Sequence, residues 1–427
     1  MLRSKGPADR PLRVAMLSIH SSPIGELGTS DTGGMSVYVR ELARELGRRG
    51  HRIDIFTRER TRKADPVVQL FPGVRLVHLS GGANGHHERL GLYPHLPRFF
   101  QALEAFRSLD GIRYDLVHSH YWLSGRMGTW AQERWEVPHV VMFHTLGAVK
   151  NSVQCGEEEP EIRIAAEADV ARRCDRIVAP TKRERDYIVE LCGAPAQKVA
   201  LIPCGVNLES FQPVDRAKAR ELLGMDRGEA ILLYVGRFAP VKGLERLLEA
   251  MVHLRQHPRL RLLVVGGDGL EGSKSDRLRA KIRELGVEGA VTFAGRVDQR
   301  DLPPYYSAAD LLVVPSYYES FGLVALEALA CGTPVVATRV GAMESILADP
   351  EYGALVSGPD PQALAGGIDT VLVRARGAPV PRERIRASVS RYTWSSVASA
   401  ISNEYASLLN SSQRPQDDEL PCRAVAQ

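Results

Sequence analysis

The 427-residue sequence contains few cysteines and no long apolar segment. Its six cysteines include no Cys-x-x-Cys pair and no spacing typical of zinc ligands, which argues against a disulfide framework or a zinc domain. The apolar run from Leu12 to Ile19 is too short for a membrane span or for a signal peptide with its flanks. These absences predict a cytoplasmic protein with reduced thiols and no stable membrane insertion.

The sequence also lacks a strong charge bias. The formal net charge is only +4, and no stripe of lysines and arginines is interleaved with aromatic residues, which make up 6% of the chain. Proteins that bind nucleic acids concentrate positive charge along one face or helix. We therefore expect no nucleic acid partner.

No Asp-x-Asp sequence occurs anywhere in the chain. Such a carboxylate pair commonly holds a divalent metal that bridges a diphosphate, since Mg²⁺ is bound through one or two carboxylates together with phosphates. Its absence predicts a site that uses no metal. His118 and His120 alternate at the end of a strand and could bind a metal, but without a nearby carboxylate or cysteine they are interpreted as local hydrogen-bonding residues.

The length of the chain predicts two domains, because one hydrophobic core stops growing at roughly 250 to 300 residues. Short apolar runs alternate with helical patterns, which is typical of an α/β fold. The alternation of strands and helices is interrupted by a Pro/Gly turn between Ile202 and Asn207, and a second series of strands follows Gly224. We predict two Rossmann-like domains with doubly wound parallel sheets that face a cleft between the domains.

The predicted boundaries follow from this pattern. Residues 1–207 form an N-terminal domain, residues 208–393 a C-terminal domain, and residues 394–410 a helix that packs back on the N-terminal domain. The polar tail 411–427 is expected to be disordered. The expected strands are Arg13 to Ile19, Arg52 to Phe56, Val74 to Leu79, Asp115 to Ser119, His139 to Phe143 and Arg176 to Ala179, then Ala230 to Gly236, Arg261 to Gly266, Ala290 to Ala294, Leu311 to Pro315 and Pro334 to Thr338.

The most informative segment follows the apolar strand that ends at Pro315. A helix is predicted to begin near Phe321, so the backbone amides at its start would face the cleft and favour a phosphate. These amides belong to Phe321, Gly322 and Leu323.

Two carboxylates flank that helix start. Glu319 lies just before the helix and Glu327 about two turns inside it, which separates them by roughly 10 Å. This is about the span from a hexose to a ribose across a diphosphate, so Glu319 would accept hydrogen bonds from the sugar and Glu327 from the ribose. Because Glu327 lies in an otherwise apolar run, an unpartnered carboxylate there would be costly, which favours a functional role over a solvated surface charge.

Two cations form the second motif, Gly236-Arg237-Phe-Ala-Pro-Val-Lys242-Gly243, which follows the first strand of the second domain. Arg237 and Lys242 can both reach the phosphates of a nucleotide sugar and, in the absence of a metal, neutralise the charge that grows on the leaving diphosphate.

Glu319 and Glu327 with seven residues between them, together with Gly236-Arg237 and Lys242, resemble the signature of retaining GT-B glycosyltransferases of the family 4 type. This family includes the sucrose-phosphate synthases and the mycothiol glycosyltransferases. The segments Gly33-Gly34-Met-Ser36, His118-Ser-His120-Tyr121 and His144-Thr145 are most similar to the mycothiol branch.

The resemblance implies a UDP-sugar as co-substrate and no cofactor. It also implies that the N-terminal domain binds the acceptor and the C-terminal domain binds the donor. Related enzymes often form homodimers, so self-association is one expected interaction. The implied catalytic residues are His144, Arg237, Lys242 and Glu319. The implied donor-binding residues are Gly33, Gly34, Arg237, Lys242, Arg296, Val297, Glu319, Phe321, Gly322, Leu323 and Glu327.

The acceptor residues implied by the resemblance are Ser36, Arg89, Tyr121, Thr145 and Arg163. Two guanidinium groups in this set favour a phosphorylated acceptor such as inositol phosphate. Arg89 replaces a lysine of the mycothiol enzymes and preserves the charge. Ser36 replaces an asparagine that contacts the inositol, and a hydroxyl cannot reproduce the donor and acceptor pair of a carboxamide.

Several alternatives remain open from the sequence. The leading expectation is transfer of a hexose, N-acetylglucosamine or glucose, from a UDP-sugar to a small phosphorylated polyol or sugar such as inositol phosphate. Transfer to fructose 6-phosphate, as in the sucrose-phosphate synthases, would need the same donor half. A UDP-sugar epimerase or a non-enzymatic sugar-nucleotide sensor could share the two-domain plan. Gly267-Asp-Gly269-Leu-Glu-Gly272 fits a dinucleotide fingerprint, but the next strand ends without a carboxylate placed for ribose. A phosphatidylinositol acceptor is disfavoured because no basic amphipathic helix for membrane docking is evident.

Overall fold

A computed structural model describes residues 10–25, 32–59, 65–81, 89–267 and 273–411, without the side chains of Arg89 and of residues 273–275. Most of the glycine-rich segment 267–272 lies outside the described residues. So does the predicted disordered tail, apart from Ser411.

The first half of the chain forms an eight-stranded sheet with the order β3-β4-β2-β1-β5-β6-β7-β8. All neighbouring strands are parallel except β3 and β4, which pair antiparallel at one edge. The strands are β1 Arg13–Leu17, β2 Arg52–Arg58, β3 Val67–Phe71, β4 Val74–Leu79, β5 Leu116–His120, β6 His139–Met142, β7 Arg176–Ala179 and β8 Val199–Leu201.

The second half forms a six-stranded, fully parallel sheet with the order β11-β10-β9-β12-β13-β14. Its strand order reverses direction beside β9, which is where doubly wound sheets open a crevice for ligands. The strands are β9 Ala230–Val235, β10 Leu260–Val265, β11 Val291–Gly295, β12 Leu311–Val314, β13 Val335–Thr338 and β14 Gly353–Val356.

Helices cover the sheets, because buried parallel strands need apolar cover on each face. In the first half they are α1 Gly34–Arg48, α2 Leu96–Leu109, α3 Tyr121–Trp135, α4 Gly147–Ser152, α5 Glu161–Arg173 and α6 Lys182–Cys192. In the second half they are α7 Arg216–Leu222, α8 Leu244–Val252, α9 Ser273–Leu285, α10 Leu302–Ala308, α11 Leu323–Ala330, α12 Met343–Ile346, α13 Pro361–Gly377, α14 Arg382–Ala387 and α15 Trp394–Ser411.

The last helix, α15, packs on the first sheet although it follows the second sheet in the chain. Tyr405 hydrogen-bonds His118 at 2.7 Å, and Glu404 pairs with Arg176 at 2.9 Å. Ile401 is fully buried in a core cluster that includes residues of both sheets. The chain therefore ties its two halves together through this helix.

The architecture confirms the prediction of an α/β fold with two doubly wound parallel sheets. The structure adds three strands that the sequence pattern did not predict, namely β3, β8 and β14. The helix expected near Phe321 begins at Leu323, because Gly322 before it has a left-handed backbone with φ of 103°. The exact domain boundary at residue 207 stays a prediction.

Among the described residues, the structure contains no helix that combines the length and the apolar character needed to cross a bilayer.

Candidate active site

A cavity of about 410 Å³ lies between the two sheets. Residues just after the carboxyl ends of β5, β6, β9 and β12 line it, which is the edge where parallel sheets of this kind bind ligands. The two halves of the chain therefore contribute to one shared site.

All twelve residues predicted for catalysis or donor binding line this cavity. Of the predicted acceptor residues, Tyr121 and Thr145 line it, whereas Ser36 and Arg163 lie behind the lining. The Arg89 side chain lies outside the described part of the structure. The roles of all these residues stay predictions, but their common location is a property of the fold.

The two sequence motifs of the second half meet at an ion pair. Lys242 Nζ lies 2.6 Å from Glu319 Oε1, and the Ser316 hydroxyl donates to the same oxygen at 2.9 Å. Gly243 makes this approach possible, because its φ is 71° and a Cβ there would lie 2.0 Å from the Pro315 carbonyl oxygen. A side chain at Gly243 would push the cationic loop away from Glu319.

The glycine pair Gly33-Gly34 at the start of α1 borders the cavity from the first half. A Cβ on Gly33 would lie 3.7 Å from Arg237 Nε, and one on Gly34 would lie 3.5 Å from Leu323 Cδ1. The starts of α1 and α11 thus approach each other across the cleft. Both helix starts carry partial positive charge, which favours an anion between them.

The start of α11 needs a glycine. Besides its left-handed backbone, Gly322 packs so closely on Met343 that a Cβ would lie 2.1 Å from Met343 Cε. Phe321, Gly322 and Leu323 border the cavity at this point. The turn therefore lies at the cavity as predicted, although the helix starts two residues later, and its binding of a phosphate stays a prediction.

Glu327 is buried but has partners in the protein. Tyr306 donates to its Oε2 at 2.7 Å, and Gln299 Nε2 donates to its Oε1 at 2.8 Å. Burial raises the pKa of the Glu327 carboxyl, and these two hydrogen bonds oppose the rise. Since each carboxylate oxygen can accept more than one bond, Glu327 retains capacity for a ribose diol.

Tyr121 and His144 adopt strained backbones at the carboxyl ends of β5 and β6. Their φ angles are 76° and 62°, in the left-handed region that non-glycine residues rarely occupy. Strain of this kind costs on the order of 1 to 3 kcal/mol per residue and concentrates at functional sites. Burial also lowers the pKa of His144 to about 3, so its imidazole is neutral at physiological pH.

Arg163 supports the cavity wall from behind. Its guanidinium pairs with Glu167 at 2.7 Å and with Glu159 at 2.7 Å, and it donates to the Thr145 hydroxyl at 3.0 Å. The group also lies 4.9 Å from the Tyr121 ring centroid. With only 1% of its surface exposed, Arg163 holds Thr145 and Tyr121 in place in this structure and does not itself face the cavity.

Ser36 is fully buried and lies 2.6 Å, oxygen to oxygen, from the hydroxyl of Ser21. Ser21 lines the cavity, but Ser36 does not. The position at which mycothiol-type sequences carry an asparagine thus contributes no direct lining group here.

Sequence reasoning missed several residues that line the cavity. They include His20, Ser21, Lys150, Gln299 and Tyr318. His20 follows β1 and Lys150 lies in α4, so their positions after strands could have drawn attention to them. Gln299 and Tyr318 gave no such signal, because their importance depends on contacts with distant residues.

Two of these residues join the halves of the chain. Tyr318 accepts from the Leu146 amide at 3.3 Å and donates to Glu184, which belongs to the first half, at 3.3 Å. Gln299 accepts a hydrogen bond from Arg40 of α1 while it donates to Glu327. Hydrogen bonds thus connect the two halves of the chain at two places beside the cavity.

No group of three or more histidine, cysteine, aspartate or glutamate side chains in the described residues is arranged to hold a metal ion. The only carboxylates among the described lining residues are Glu319 and Glu327. Cations lining the same cavity are Lys150, Arg237, Lys242 and Arg296.

Two protein-family models match the chain, and each covers the half that forms one of the two sheets. Residues 32–210 match the model described as Glycosyltransferase Family 4, and residues 215–384 match the model described as Glycosyl transferases group 1.

Similar proteins cover nearly the whole chain. D-inositol 3-phosphate glycosyltransferase 2 from Catenulispora acidiphila is 40% identical over 404 residues, which cover 92% of this chain and 95% of that protein. D-inositol 3-phosphate glycosyltransferase from a Mycobacterium species is 43% identical over 368 residues, covering 85% of this chain and 83% of that one. Among solved structures, sucrose-phosphate synthase from Thermosynechococcus elongatus matches with a TM-score of 0.86 and 35% identity, covering 94% of this chain and 100% of that chain.

Proposed function

The chain belongs to the family 4 and group 1 glycosyltransferases, and from this premise we propose that it transfers a hexose from a UDP-sugar to a small phosphorylated acceptor. The hexose is N-acetylglucosamine or glucose, and the acceptor is a polyol such as inositol phosphate. The proposed enzyme retains the anomeric configuration, needs no metal or other cofactor, and works in the cytoplasm.

One observation carries this proposal. A single cavity joins the cationic loop, the start of α11 and both glutamates from the second half to His144, Tyr121 and Thr145 from the first half. A donor bound along the second half would present its sugar to an acceptor bound along the first half. Such a two-sided site suits group transfer, because both reactants are held in one orientation.

The donor would lie along α11. Its diphosphate would meet Arg237, Lys242 and the amides at the start of the helix. Its ribose would reach Glu327, and its hexose would reach Glu319, whose Oε1 already accepts from Lys242 and Ser316. Oε2 of Glu319 can then accept from sugar hydroxyls. Arg296 and Val297 would border the uracil.

A front-face reaction explains retention with these residues. The bond from the anomeric carbon to the diphosphate oxygen breaks, and the acceptor hydroxyl oxygen bonds to the same face of that carbon. The departing phosphate oxygen takes the hydroxyl proton. Arg237 and Lys242 stabilise the growing negative charge on UDP. A double displacement would need a carboxylate nucleophile beneath the sugar, and no acidic residue of the first half is among the described lining residues.

The acceptor end has the character of an anion site. Lys150 lines the cavity beside Thr145, and Arg163 holds the Thr145 hydroxyl from behind. A phosphate on the acceptor would be recognised by Lys150, which also pairs with Glu159, and by the Thr145 hydroxyl. Relatives about 40% identical are named for D-inositol 3-phosphate, which supports an inositol phosphate acceptor.

Transfer to fructose 6-phosphate is a second candidate. It is favoured by the similarity to a sucrose-phosphate synthase at 35% identity and by Ser36, which removes the asparagine of the mycothiol branch. Epimerisation and sensing are disfavoured, since the relatives reported above are named as a synthase and as glycosyltransferases.

Release of UDP from a panel of UDP-sugars in EDTA tests the proposal. Each donor is offered with inositol phosphate, with fructose 6-phosphate, or alone. Release that depends on inositol phosphate supports the main proposal, whereas dependence on fructose 6-phosphate supports the second candidate. Conversion of the donor sugar with no acceptor present would contradict both.

A further inference from the structure

Four histidines, His118, His120, His139 and His144, lie close together at the cavity wall and behind it, and His120 and His144 form a direct hydrogen bond. His120 Nδ1 lies 3.0 Å from His144 Nε2. Because His144 lines the cavity, its Nδ1 is the side-chain polar atom that this contact leaves for a ligand. The protonation of that atom decides whether His144 offers a donor or an acceptor to the bound sugar.

Both rings of this pair are neutral. Burial lowers the pKa of His144 to about 3, and burial also lowers the pKa of His120 well below its usual value, with His118 and His144 adding to the effect. Each ring therefore carries one proton, on one of its two nitrogens. In the hydrogen bond between them, one nitrogen must donate and the other must accept.

The surroundings of His120 decide the direction of that bond. If His120 accepted at Nδ1, its single proton would lie on Nε2, which is buried and has no hydrogen-bond partner among the described residues. Buried N–H groups without an acceptor are rare and costly, and a bare ring nitrogen in the same place avoids that cost. The proton of His120 therefore belongs on Nδ1, where it donates to His144 Nε2.

His120 is also held in a fixed orientation. The His118 ring lies 4.4 Å from it, centroid to centroid, and the Tyr38 ring approaches it edge-on at 5.7 Å. His118 is anchored in turn by the Tyr405 hydroxyl of α15 at 2.7 Å. His118 and His120 lie two residues apart on β5, so their side chains share one face of the strand.

We propose that His120 is a positioning residue that donates its Nδ1 proton to His144 and thereby fixes the proton of His144 on Nδ1, facing the donor sugar. His144 then acts as a neutral hydrogen-bond donor to a sugar oxygen and not as a base. This inference rests on the proposed function for the identity of the ligand, but the proton arrangement belongs to the protein alone.

Nuclear magnetic resonance of the full chain labelled with ¹⁵N-histidine tests the inference without any substrate. The ring nitrogens of His144 are identified by the signals that disappear in His144→Gln. We expect the proton on Nδ1 of His144 in the wild type. His120→Asn should keep it there, since the asparagine amide can replace the Nδ1 donor. His120→Ala should vacate a space in which water can accept from Nε2, so the proton should shift toward Nε2, the nitrogen that a free neutral imidazole prefers.

His139→Gln is the matched control. His139 is a buried histidine of β6, the strand beside β5, but it bonds the Ser119 hydroxyl at 2.6 Å and not His144. Its replacement should leave the His144 signals in place. A wild-type spectrum with the proton on Nε2 of His144, or an unchanged spectrum in His120→Ala, would overturn the inference. If His120→Ala fails to fold, the wild-type and His120→Asn spectra still show whether the proton of His144 lies on Nδ1.

A kinetic measurement with the donor that supports turnover supplies the second readout. His120→Ala should lower kcat/KM for the donor by about tenfold, the size of one lost hydrogen bond, and His120→Asn should stay within about twofold of wild type. The acceptor KM should not change. Equal losses in the alanine and asparagine variants would contradict the role of the Nδ1 donor. Failure to find any active donor would count against the proposed function and would leave the spectral result intact.

Discussion

Lys242 Nζ lies 2.6 Å from Glu319 Oε1, so an ion pair joins two residues that are 77 positions apart in the chain. Both side chains are mostly buried at the cavity wall, where an ion pair is screened less than at the surface. The pair holds the cation beside the expected diphosphate and orients the carboxylate toward the expected sugar. Each residue therefore depends on the other for its position.

Replacement of Lys242 by alanine should lower kcat by roughly 100- to 1,000-fold, the range found when one transition-state donor is removed. The physical reason is that the charge on the departing diphosphate would lose one of the two cations of the loop that carries Arg237 and Lys242. The KM for the UDP-sugar should change much less. Steady-state UDP release measures both constants. Lys218→Ala removes an exposed lysine of α7 as a control, and a kcat within a few-fold of wild type for Lys242→Ala would contradict the assigned role.

Ser36→Asn should shift acceptor preference toward inositol phosphate. The change replaces a hydroxyl that bonds Ser21, a residue that lines the cavity, with a longer carboxamide that carries both a donor and an acceptor. We expect kcat/KM for inositol phosphate to rise by about tenfold, the contribution of a hydrogen bond or two. The comparison is UDP release with inositol phosphate and with fructose 6-phosphate.

Ser36→Ala serves as the control for the loss of the Ser21 contact alone. Similar acceptor ratios in the alanine, asparagine and wild-type proteins would show that this position does not determine the acceptor.

The sequence predicted the strands best where an apolar run is sharply bounded. Val74–Leu79 and Arg176–Ala179 were placed to the residue. The edge strand Val67–Phe71 was missed because none of its residues is fully buried and it pairs antiparallel at the edge of the sheet, so it lacks the buried apolar run of the other strands. The three-residue strand Val199–Leu201 is too short for any periodic pattern.

The residues of the candidate site also fall into those that the sequence predicts and those that it does not. Glu319, Glu327 and Lys242 were found because each lies in a compact motif whose local geometry can be worked out from spacing. Gln299 and Tyr306 were not, since their contacts with Glu327 depend on how separate segments fold together. Arg163 was assigned to acceptor contact from the family resemblance, and neither the resemblance nor the spacing shows that Glu159 and Glu167 pair with its guanidinium.

Transfer should proceed unchanged in EDTA. Arg237 and Lys242 line the cavity where a metal would otherwise bridge the diphosphate, and electrostatic stabilisation by fixed cations can replace the ion. The rate of UDP release with saturating donor and acceptor is compared in EDTA and in added Mg²⁺ or Mn²⁺. Loss of turnover in EDTA, restored by the metal, would contradict the metal-independent mechanism.

Glu184 should make the stability of the protein fall as pH rises. This carboxyl of α6 is buried against the Tyr318 hydroxyl, and burial, reinforced by Glu167, raises the pKa of Glu184 to about 8. Between its usual value of 4.5 and about 8, the folded protein binds one more proton at this site than the unfolded chain. Stability from the neutral carboxyl is thus complete below pH 4.5 and is lost as pH rises through 8.

Glu184→Gln removes this ionisation while keeping an oxygen that can accept from Tyr318. The variant should match the wild type at pH 5 and unfold at a higher urea concentration at pH 8.5, because the wild type alone then bears a penalty on the order of 4 kcal/mol. Urea midpoints at several pH values measure the difference. Glu190→Gln, on the exposed face of the same helix, should leave the pH dependence unchanged. Parallel pH profiles for wild type and Glu184→Gln would mean that the pKa of Glu184 is not raised in the folded protein. The hydrogen bond from the Tyr318 hydroxyl would then be made to a charged carboxylate.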